Sequence, residues 1–300
     1  MTEHRSGFVS ILGRPNAGKS TLLNALVGQK VSIVADKPQT TRTAIQGVLT
    51  TPEAQVIFVD TPGIHKSSSA INRRMMDAVR DALEARDLFI YVADARKPFT
   101  PEDEKALSVL KAGQPVLLAL NKIDALAAKQ EMLPVLAEYQ KHYDFAGYFP
   151  ISALTGEGLD QLRDAVIRRL PEGPEYFPPD QFTDQPARFL AAELIREKLL
   201  HITREEVPHS LAIIIDKWEE LPDIIRIYAT IVVEREGQKG IVIGKQGSVL
   251  KQAGTLAREE MESFFGTHIF LDLHVKVEPG WREKPSFLDT IDWRTMTGRE

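Results

Sequence analysis

Eight residues near the N-terminus, GRPNAGKS from Gly13 to Ser20, limit the possible folds of this 300-residue chain more than any other segment. They follow a short apolar run, Phe8–Leu12, and lead into a helical pattern. A strand, a glycine-rich loop and a helix in this order form a phosphate-binding loop, G-x-x-x-x-G-K-S, whose backbone N–H groups point at an anion. Lys19 is expected to neutralise the terminal phosphates of a nucleotide, and the Ser20 hydroxyl is expected to ligate magnesium.

Short apolar runs alternate with helical patterns over the first 170 residues. This alternation predicts an α/β fold with a mostly parallel, doubly wound sheet. The predicted strands are Phe8–Leu12, Val56–Val59, Leu88–Val92, Val116–Leu120 and Phe149–Ile151, and the predicted helices are Ser20–Val27, Ile71–Glu84, Glu102–Lys111, Lys129–His142 and Leu159–Leu170.

Two further motifs follow predicted strands, at the positions where open α/β sheets bind their ligands. The first is DTPG, from Asp60 to Gly63. Its carboxylate can hold magnesium through a water, and its last amide can meet a γ-phosphate. The second is NKID, from Asn121 to Asp124. A carboxylate at Asp124 can accept hydrogen bonds from N1–H and the 2-amino group of guanine, whereas adenine offers neither donor in that arrangement.

A third segment, Ile151-Ser152-Ala153, is expected to supply a backbone amide to the guanine O6. DTPG or NKID alone is weak evidence, but together with the phosphate-binding loop and Ile151-Ser152-Ala153, in this order and each at the end of a strand, they predict a GTP site. The predicted GTP-binding residues are Gly13, Arg14, Pro15, Asn16, Ala17, Gly18, Lys19, Ser20, Thr21, Asp60, Thr61, Pro62, Gly63, Asn121, Lys122, Asp124, Ser152 and Ala153.

On these motifs, residues 1–170 resemble a translation-factor-class small GTPase domain. The segment QTTR, from Gln39 to Arg42, is similar to the first switch of that group. A single threonine precedes the arginine in related patterns, so Thr41 rather than Thr40 is expected to be the second magnesium ligand. The resemblance implies the magnesium ligands Ser20, Thr41 and Asp60, and the catalytic residues Lys19, Thr41, Gly63 and Asn16.

One residue departs from the Ras-like pattern. Ile64 stands where those GTPases place the glutamine that orients the attacking water, and isoleucine cannot form that hydrogen bond. No arginine finger in cis can be read from the sequence either. Asn16 offers a substitute, because GxxNxGKS resembles GTPases in which an asparagine helps to seat potassium against the β- and γ-phosphates. The alternative, that Asn16 only stabilises the loop, stays open.

The sequence changes character after residue 170. Residues 171–186 hold five prolines in sixteen positions, which indicates a semi-rigid linker. A helix over 187–203, strands over 211–217 and 224–236, a short apolar helical turn before Gly244, a loop-linked helix over 248–265 and a strand over 269–277 then predict a smaller α+β domain. The last twenty residues, 281–300, carry two tryptophans but little periodicity, so a docked tail and a frayed one are both compatible with them.

The segment IVIGKQG, from Ile241 to Gly247, resembles the GXXG loop with which a KH domain of the prokaryotic type clamps single-stranded nucleic acid. The net charge of −5 argues against a nucleic-acid partner, yet no acidic residue occurs between Gly237 and Arg258. An ordinary glycine turn is the alternative interpretation. The residues expected to bind RNA are Ile241, Ile243, Gly244, Lys245, Gln246, Gly247 and Lys251.

Composition excludes several other classes of protein. The chain has no cysteine, which rules out disulfides, thiolate zinc sites, iron–sulfur clusters and a cysteine nucleophile. Its seven histidines show no metal-ligand spacing. The longest aliphatic runs are strand-sized, so we predict neither a signal peptide nor a membrane span, and we expect a cytosolic protein.

One GTPase domain (1–170), a proline-rich linker (171–186), one KH domain (187–280) and a tail (281–300) together resemble the Era family. The resemblance implies a role in small-ribosomal-subunit assembly, with the 3′ region of small-subunit ribosomal RNA bound under control of the GTP/GDP cycle. It also implies peripheral contact with the cytoplasmic face of the cell membrane. We expect a monomer that uses Mg²⁺ and, through Asn16, K⁺.

Two other functions stay open on the sequence alone. In one, the protein is mainly an RNA-binding module whose nucleotide site binds GTP but barely hydrolyses it, as Ile64 would allow. In the other, the GTPase switches a protein or membrane partner and GKQG has no specific role in RNA binding.

Overall fold

The chain forms two units, seen here in a computed structural model that describes residues 4–37, 39–63, 69–84, 86–110, 113–203 and 207–292. The first unit contains the described parts of 1–32, 41–66 and 74–184. The second contains the described parts of 33–40, 67–73 and 185–300. Ile64 and Trp293, both considered above, lie outside the described residues.

A six-stranded sheet in the order β2-β3-β1-β4-β5-β6 forms the centre of the first unit. Strand β2 is antiparallel to β3, and the other neighbouring pairs are parallel. Strands β3, β4 and β5 are buried at every residue, as expected for a parallel sheet covered on both faces. The predicted doubly wound α/β fold is confirmed. The strands are β1 (Arg5–Gly13), β2 (Ile45–Thr50), β3 (Ala54–Asp60), β4 (Leu88–Asp94), β5 (Val116–Asn121) and β6 (Gly147–Pro150).

Helices connect these strands, and two of them end three or more residues earlier than the sequence pattern predicts. The third helix ends at Leu107 rather than Lys111, and the fifth ends at Ile167 rather than Leu170. The sequence pattern does not predict strand β2. Its segment IQGVLT is only half-buried, and the internal glycine weakens the strand signal. The helices are α1 (Lys19–Val27), α2 (Ala70–Leu83), α3 (Pro101–Leu107), α4 (Met132–His142) and α5 (Leu159–Ile167).

The proline-rich segment is fixed to the first unit over most of its length. The buried side chain of Gln55 donates a hydrogen bond to the Phe177 carbonyl (2.8 Å) and accepts bonds from the amides of Tyr176 (2.6 Å) and Phe177 (2.9 Å). The Val48 amide donates to the Phe182 carbonyl at 2.9 Å. Residues 171–184 are therefore a strap on the sheet rather than a free spacer.

The second unit has a three-stranded sheet in the order β7-β8-β9, antiparallel between β7 and β8 and parallel between β8 and β9. Its apolar core joins α6 and α8 to this sheet through Ile195, Leu199, Ile227, Ala257 and Met261, all fully buried. The predicted order of one helix, two strands, two loop-linked helices and a strand is found. The elements are α6 (Ala187–Ile202), β7 (Ala212–Leu221), β8 (Ile224–Val233), α7 (Glu236–Ile243), α8 (Ser248–Phe265), β9 (His268–Val277) and α9 (Pro285–Thr290).

The beginning of the tail is packed in the second unit. Trp281 is fully buried, and its indole N–H donates to the Ser210 carbonyl at 3.1 Å. A small apolar cluster surrounds it and includes Ile71, Val232 and Leu288. Of the two possibilities that the sequence left open, the docked tail is therefore correct as far as residue 292.

Side chains of α6 hold both ends of the segment 33–40 within the second unit. The Glu197 carboxylate accepts a hydrogen bond from the Val34 amide (2.8 Å), and Nε2 of His201 lies 2.9 Å from the Val34 carbonyl oxygen. The buried Arg196 guanidinium donates to the Thr40 carbonyl. All three side chains thus bind main-chain atoms of this segment.

Within the described ranges, no helix combines the length and the apolar character that crossing a bilayer requires.

Candidate functional site

The phosphate-binding loop wraps around a buried ammonium group in the first unit. Lys19 is 7% exposed, and its Nζ donates to the carbonyls of Gly13 (3.2 Å) and Arg14 (3.1 Å). Gly18 has φ of 99°, and a Cβ at this position would lie 2.3 Å from Nδ2 of Asn121. Only glycine therefore fits between this loop and the end of β5. Helix α1 begins at the next residue, so its free N–H groups face the same loop.

Three hydroxyl groups surround the buried carboxylate of Asp60 at the end of β3. Its Oδ2 accepts hydrogen bonds from Ser20 (2.6 Å), Thr41 (3.2 Å) and Ser32 (3.3 Å). Its Oδ1 is buried and has no hydrogen-bond partner among the residues that the structure describes. One carboxylate with hydroxyl groups suits Mg²⁺, which usually takes few protein ligands and completes its shell with water and substrate phosphates. The residues present therefore fit magnesium.

The choice between the two threonines follows from the same geometry. Thr41 lies 3.0 Å from the Ser20 hydroxyl, whereas the Thr40 hydroxyl donates to the carbonyls of Ala35 (3.1 Å) and Lys37 (2.6 Å). Sequence reasoning missed Ser32, which belongs to no motif and reaches Asp60 only through tertiary folding.

Burial perturbs the two central charges in opposite directions. Burial raises the pKa of the Asp60 carboxyl, and the nearby Lys19 ammonium and the three hydroxyl donors only partly offset this rise. Burial also lowers the pKa of the Lys19 ammonium, which the Asp60 charge partly offsets. A cation at Asp60 and an anion at Lys19 would reverse both changes, which is the electrostatic requirement of a site for a metal–phosphate complex.

The DTPG turn lies against the phosphate-binding loop. A Cβ on Gly63 would lie 2.9 Å from Cγ of Pro15, so the two backbones approach closely. The buried Thr61 hydroxyl donates to the Ile11 carbonyl at 2.8 Å and fastens the turn to β1. Thr61 therefore supports the site, while Gly63 borders it.

Asn121 connects the phosphate-binding loop to the loop after β6. Its Nδ2 donates to the Ala17 carbonyl and its Oδ1 accepts from the Ala153 amide, both at 2.9 Å. The Ser152 amide donates to the Glu157 carbonyl. Both amides have partners within the protein in this structure, and the amide contact with guanine O6 expected from Ile151-Ser152-Ala153 stays a prediction. Leu154, the next residue, is 78% exposed.

Asp124 is exposed, and no side-chain hydrogen bond or ion pair occupies it among the residues that the structure describes. It lies in a short 3-10 turn, Ile123–Ala125, that follows β5 directly. Its carboxylate is therefore available to a ligand. Thr21, another predicted residue, lines an open cavity of about 460 Å³ together with Asn24, Lys30, Ala153 and Leu154.

Arg14, one of the predicted GTP-binding residues, pairs with a carboxylate of the protein itself. Its guanidinium is buried and pairs with the fully buried carboxylate of Asp103 (3.1 Å), and it also donates to the Thr100 hydroxyl (3.1 Å). Tyr91 and Tyr139 donate their hydroxyls to the same carboxylate at 2.8 and 2.7 Å. Burial raises the pKa of both tyrosines, and the Asp103 charge raises it further. This network anchors the phosphate-binding loop to α3.

We predict that Asp103→Ala lowers the free energy of unfolding of the first unit by about 3–5 kcal/mol, because it leaves the Arg14 charge buried without its partner. Urea denaturation followed by tyrosine fluorescence measures the change. Glu104→Ala, on the exposed face of the same helix, is the control and should stay within about 0.5 kcal/mol of the parent. A loss for Asp103→Ala no larger than that of the control would contradict a stabilising role.

In the second unit, the GKQG loop joins α7 to α8. The φ angles of Gly244, Gln246 and Gly247 are 74°, 52° and 78°, so three of the four residues adopt positive φ. A Cβ on Gly244 would lie 2.6 Å from Cγ2 of Val249, so this position also requires glycine. Lys245 and Gln246 are exposed at the N-terminal end of α8, as the GXXG resemblance predicts.

A shallow groove of about 350 Å³ runs beside this loop, between α8 and β9. Only Gly247 and Lys251 of the predicted RNA-binding residues line it. Ile241 is 50% exposed outside the groove, and Ile243 packs against the core of the second unit. Leucines of α8 and β9 provide the apolar part of the groove wall. The lining residues are Gly247, Leu250, Lys251, Gly254, Thr255, Arg258, Leu271 and Leu273.

Comparison with known proteins identifies the family. A family model described as a 50S ribosome-binding GTPase matches residues 8–122, and a KH-domain model matches residues 206–282. Over 287 residues the chain is 50% identical to the GTPase Era of Syntrophus aciditrophicus strain SB, covering 95% of this chain and 94% of that relative. The chain belongs to the Era family. It is a GTP-hydrolysing enzyme with a C-terminal KH domain, as the motifs predicted.

Solved Era structures agree with this assignment over nearly the whole chain. A crystal structure of Era in complex with MgGDPNP and nucleotides 1506–1542 of 16S ribosomal RNA covers 97% of this chain and 99% of that one, with 40% identity and a TM-score of 0.93. An Aquifex aeolicus Era variant bound to GDP and aluminium fluoride covers 96% and 99%, with 40% identity and a TM-score of 0.92. The predicted fold class is therefore confirmed.

Proposed function

We propose that this Era-family GTPase binds the 3′ region of small-subunit ribosomal RNA through its second unit, under control of the GTP/GDP cycle, during assembly of the small ribosomal subunit. The observation that carries the proposal is the GKQG loop, whose exposed Lys245 and Gln246 precede α8 beside a groove that leucines and basic side chains line. The Era relative solved with 16S ribosomal RNA, similar over 97% of this chain, supports it.

The nucleotide site divides its tasks among residues at the ends of β1, β3 and β5 and Thr41, which precedes β2. Lys19 neutralises the β- and γ-phosphates, and the Gly63 amide donates to the γ-phosphate. Ser20, Thr41 and Asp60 hold Mg²⁺. The bound ion supplies positive charge beside the phosphate oxygens. The orphaned Oδ1 of Asp60 and its three hydroxyl neighbours support this assignment. Asp124 accepts the two guanine donors.

Asn16 is the candidate for seating K⁺ against the phosphates. It is exposed, has φ of 60°, and its carbonyl is held by Lys122 at 2.6 Å, so its backbone is fixed at the edge of the loop. A monovalent cation there would supply the positive charge that an arginine finger supplies in other GTPases.

Replacing Lys245 and Gln246 with aspartates tests the RNA proposal. Phosphate repulsion should weaken binding of a single-stranded fragment from the 3′ end of small-subunit ribosomal RNA by about 100-fold, and the salt dependence should become shallower because fewer counterions are released. Aspartate tolerates the positive φ of Gln246 and is favourable near a helix N-terminus, so the loop should keep its shape. Fluorescence anisotropy at several salt concentrations, with a scrambled strand alongside, gives both quantities.

The matched control is Gln140→Asp with Lys141→Asp, which makes the same change in charge at exposed positions at the end of α4. This control should bind RNA as the parent does, and GTP hydrolysis should change little in either variant. If the loop variant binds RNA as tightly as the control, GKQG has no specific role in RNA binding, and a protein or membrane partner becomes the better hypothesis.

The cytosolic location, the peripheral membrane contact and the monomeric state stay predictions. They rest on the sequence and on the family resemblance.

A further inference from the structure

A buried carboxylate at the end of β4 lies next to the nucleotide site without belonging to any of the motifs. Asp94 is 2% exposed. The Arg96 guanidinium contacts both of its oxygens, with Nε 2.9 Å from Oδ1 and one terminal nitrogen 2.7 Å from Oδ2. The Arg96 amide also donates to Oδ1 at 3.1 Å. Arginine thus clamps the carboxylate in one orientation.

The other partner of Asp94 is the lysine of the NKID motif. Nζ of Lys122 lies 3.2 Å from Oδ2 of Asp94 and donates to the Asn16 carbonyl at 2.6 Å. The ammonium therefore joins the loops that follow β1 and β5 to the end of β4. The Ala95 amide, which donates to the Asn121 carbonyl at 2.8 Å, holds the β4 and β5 loops together next to it.

Asn16 and Lys122, which the lysine hydrogen bond joins, both adopt the left-handed backbone conformation. The φ angles are 60° for Asn16 and 69° for Lys122. Residues other than glycine adopt this conformation at a cost, and surrounding contacts must hold them in it. Among the described residues, the Asp94 carboxylate and the Asn16 carbonyl are the polar groups that hold the Lys122 ammonium.

The carboxylate stays charged over the whole working range of pH. Burial raises the pKa of Asp94, but the hydrogen bonds from Arg96 and the charge of Lys122 outweigh it and lower the pKa to about 2. Removing the negative charge would leave two cations facing each other beside the phosphate-binding loop.

We propose that Asp94 is a positioning residue for nucleotide binding, which fixes the Lys122 ammonium against the Asn16 carbonyl while Arg96 fixes Asp94. The lysine then holds the phosphate-binding loop and the guanine-binding turn in their binding geometry before the nucleotide arrives. This inference rests on the guanine site proposed above and adds two residues, Asp94 and Arg96, to it.

Binding of fluorescent GDP to single and double variants tests the proposal. Asp94→Asn keeps the size of the side chain and removes its charge, and we expect GDP affinity to fall about 10-fold, through faster dissociation. Lys122→Met should lose at least as much. The double variant should be no weaker than Lys122→Met alone, because Asp94 acts through that lysine. If the fold loss of GDP affinity in the double variant equals the product of the two single losses, the proposal is overturned.

Asp87→Asn is the matched control, since Asp87 lies just before the opposite end of β4 and accepts a hydrogen bond from the Phe8 amide at 2.8 Å. It should leave GDP affinity unchanged even if it lowers the melting temperature. Arg96→Met, at a side chain 42% exposed, keeps the test available if Asp94→Asn does not fold, and a loss of about 3-fold is expected. Unchanged affinity in the folded variants would overturn the role of Asp94. If Asp94→Asn still prefers GDP to XDP, the guanine site itself is intact.

Discussion

Asp124→Asn is expected to change the preference of this GTPase from guanine to xanthine nucleotides. Guanine presents two donors to the carboxylate, whereas the asparagine amide offers one acceptor and one donor, which suits the carbonyl of xanthine. A site built to hydrogen-bond its substrate rejects a mismatched analogue by about 10⁴-fold or more. The side chain is exposed in a short turn, so the fold should tolerate the change. Calorimetric titration of GDP and XDP into both proteins measures the four affinities.

Asp144→Asn, at another exposed carboxylate of the first unit, controls for the loss of one negative charge. It should keep the parent's preference. If Asp124→Asn also keeps the guanine preference, Asp124 is not the base-recognition residue, and the exposed Leu154 loop would have to provide the discrimination.

Hydrolysis of GTP is expected to be faster in potassium than in sodium at equal ionic strength, by up to about 10³-fold, if Asn16 seats the cation. Positive charge positioned at this transition state has that order of effect. Asn16→Ala should abolish the difference between the salts. Single-turnover hydrolysis of GTP in the two salts measures it.

Asn16→Gly separates the side chain from the backbone. Asn16 has φ of 60°, which glycine adopts without strain and alanine does not. Both variants should lose the potassium effect, and the glycine variant should bind GDP as the parent does. Equal rates of the parent in the two salts would return Asn16 to a purely structural role in the loop.

Residues that act within one motif were predictable, because their geometry follows from local sequence. The glycine and lysine of the phosphate-binding loop, the carboxylate at the end of β3 and the GKQG turn all lie where their spacing predicts. The parallel sheet could be predicted because runs such as Leu88–Val92 and Val116–Leu120 are apolar at every residue. Such strands are buried on both faces, which requires a sheet with helices on both sides.

Residues that act across separate elements were not predictable. Ser32 reaches Asp60, and Asp94 reaches Lys122, only because β1, β3, β4 and β5 end at one edge of the sheet. Arg14 is part of the GKS motif, yet its partner Asp103 comes from α3, nearly ninety residues later. Leu271 and Leu273 of β9 line the groove beside the GKQG loop, and their place next to α8 depends on strand order, which no local motif indicates.

The attachment of residues 33–40 to α6 has a consequence for sequence variation among relatives. Glu197 and His201 bind the amide and carbonyl of Val34, and Arg196 binds the carbonyl of Thr40, so the contacts use atoms that every amino acid except proline provides. The side chain at position 34 is therefore unconstrained by them. Selection to keep this attachment would act on the three residues of the helix, while the held segment itself could diverge between species.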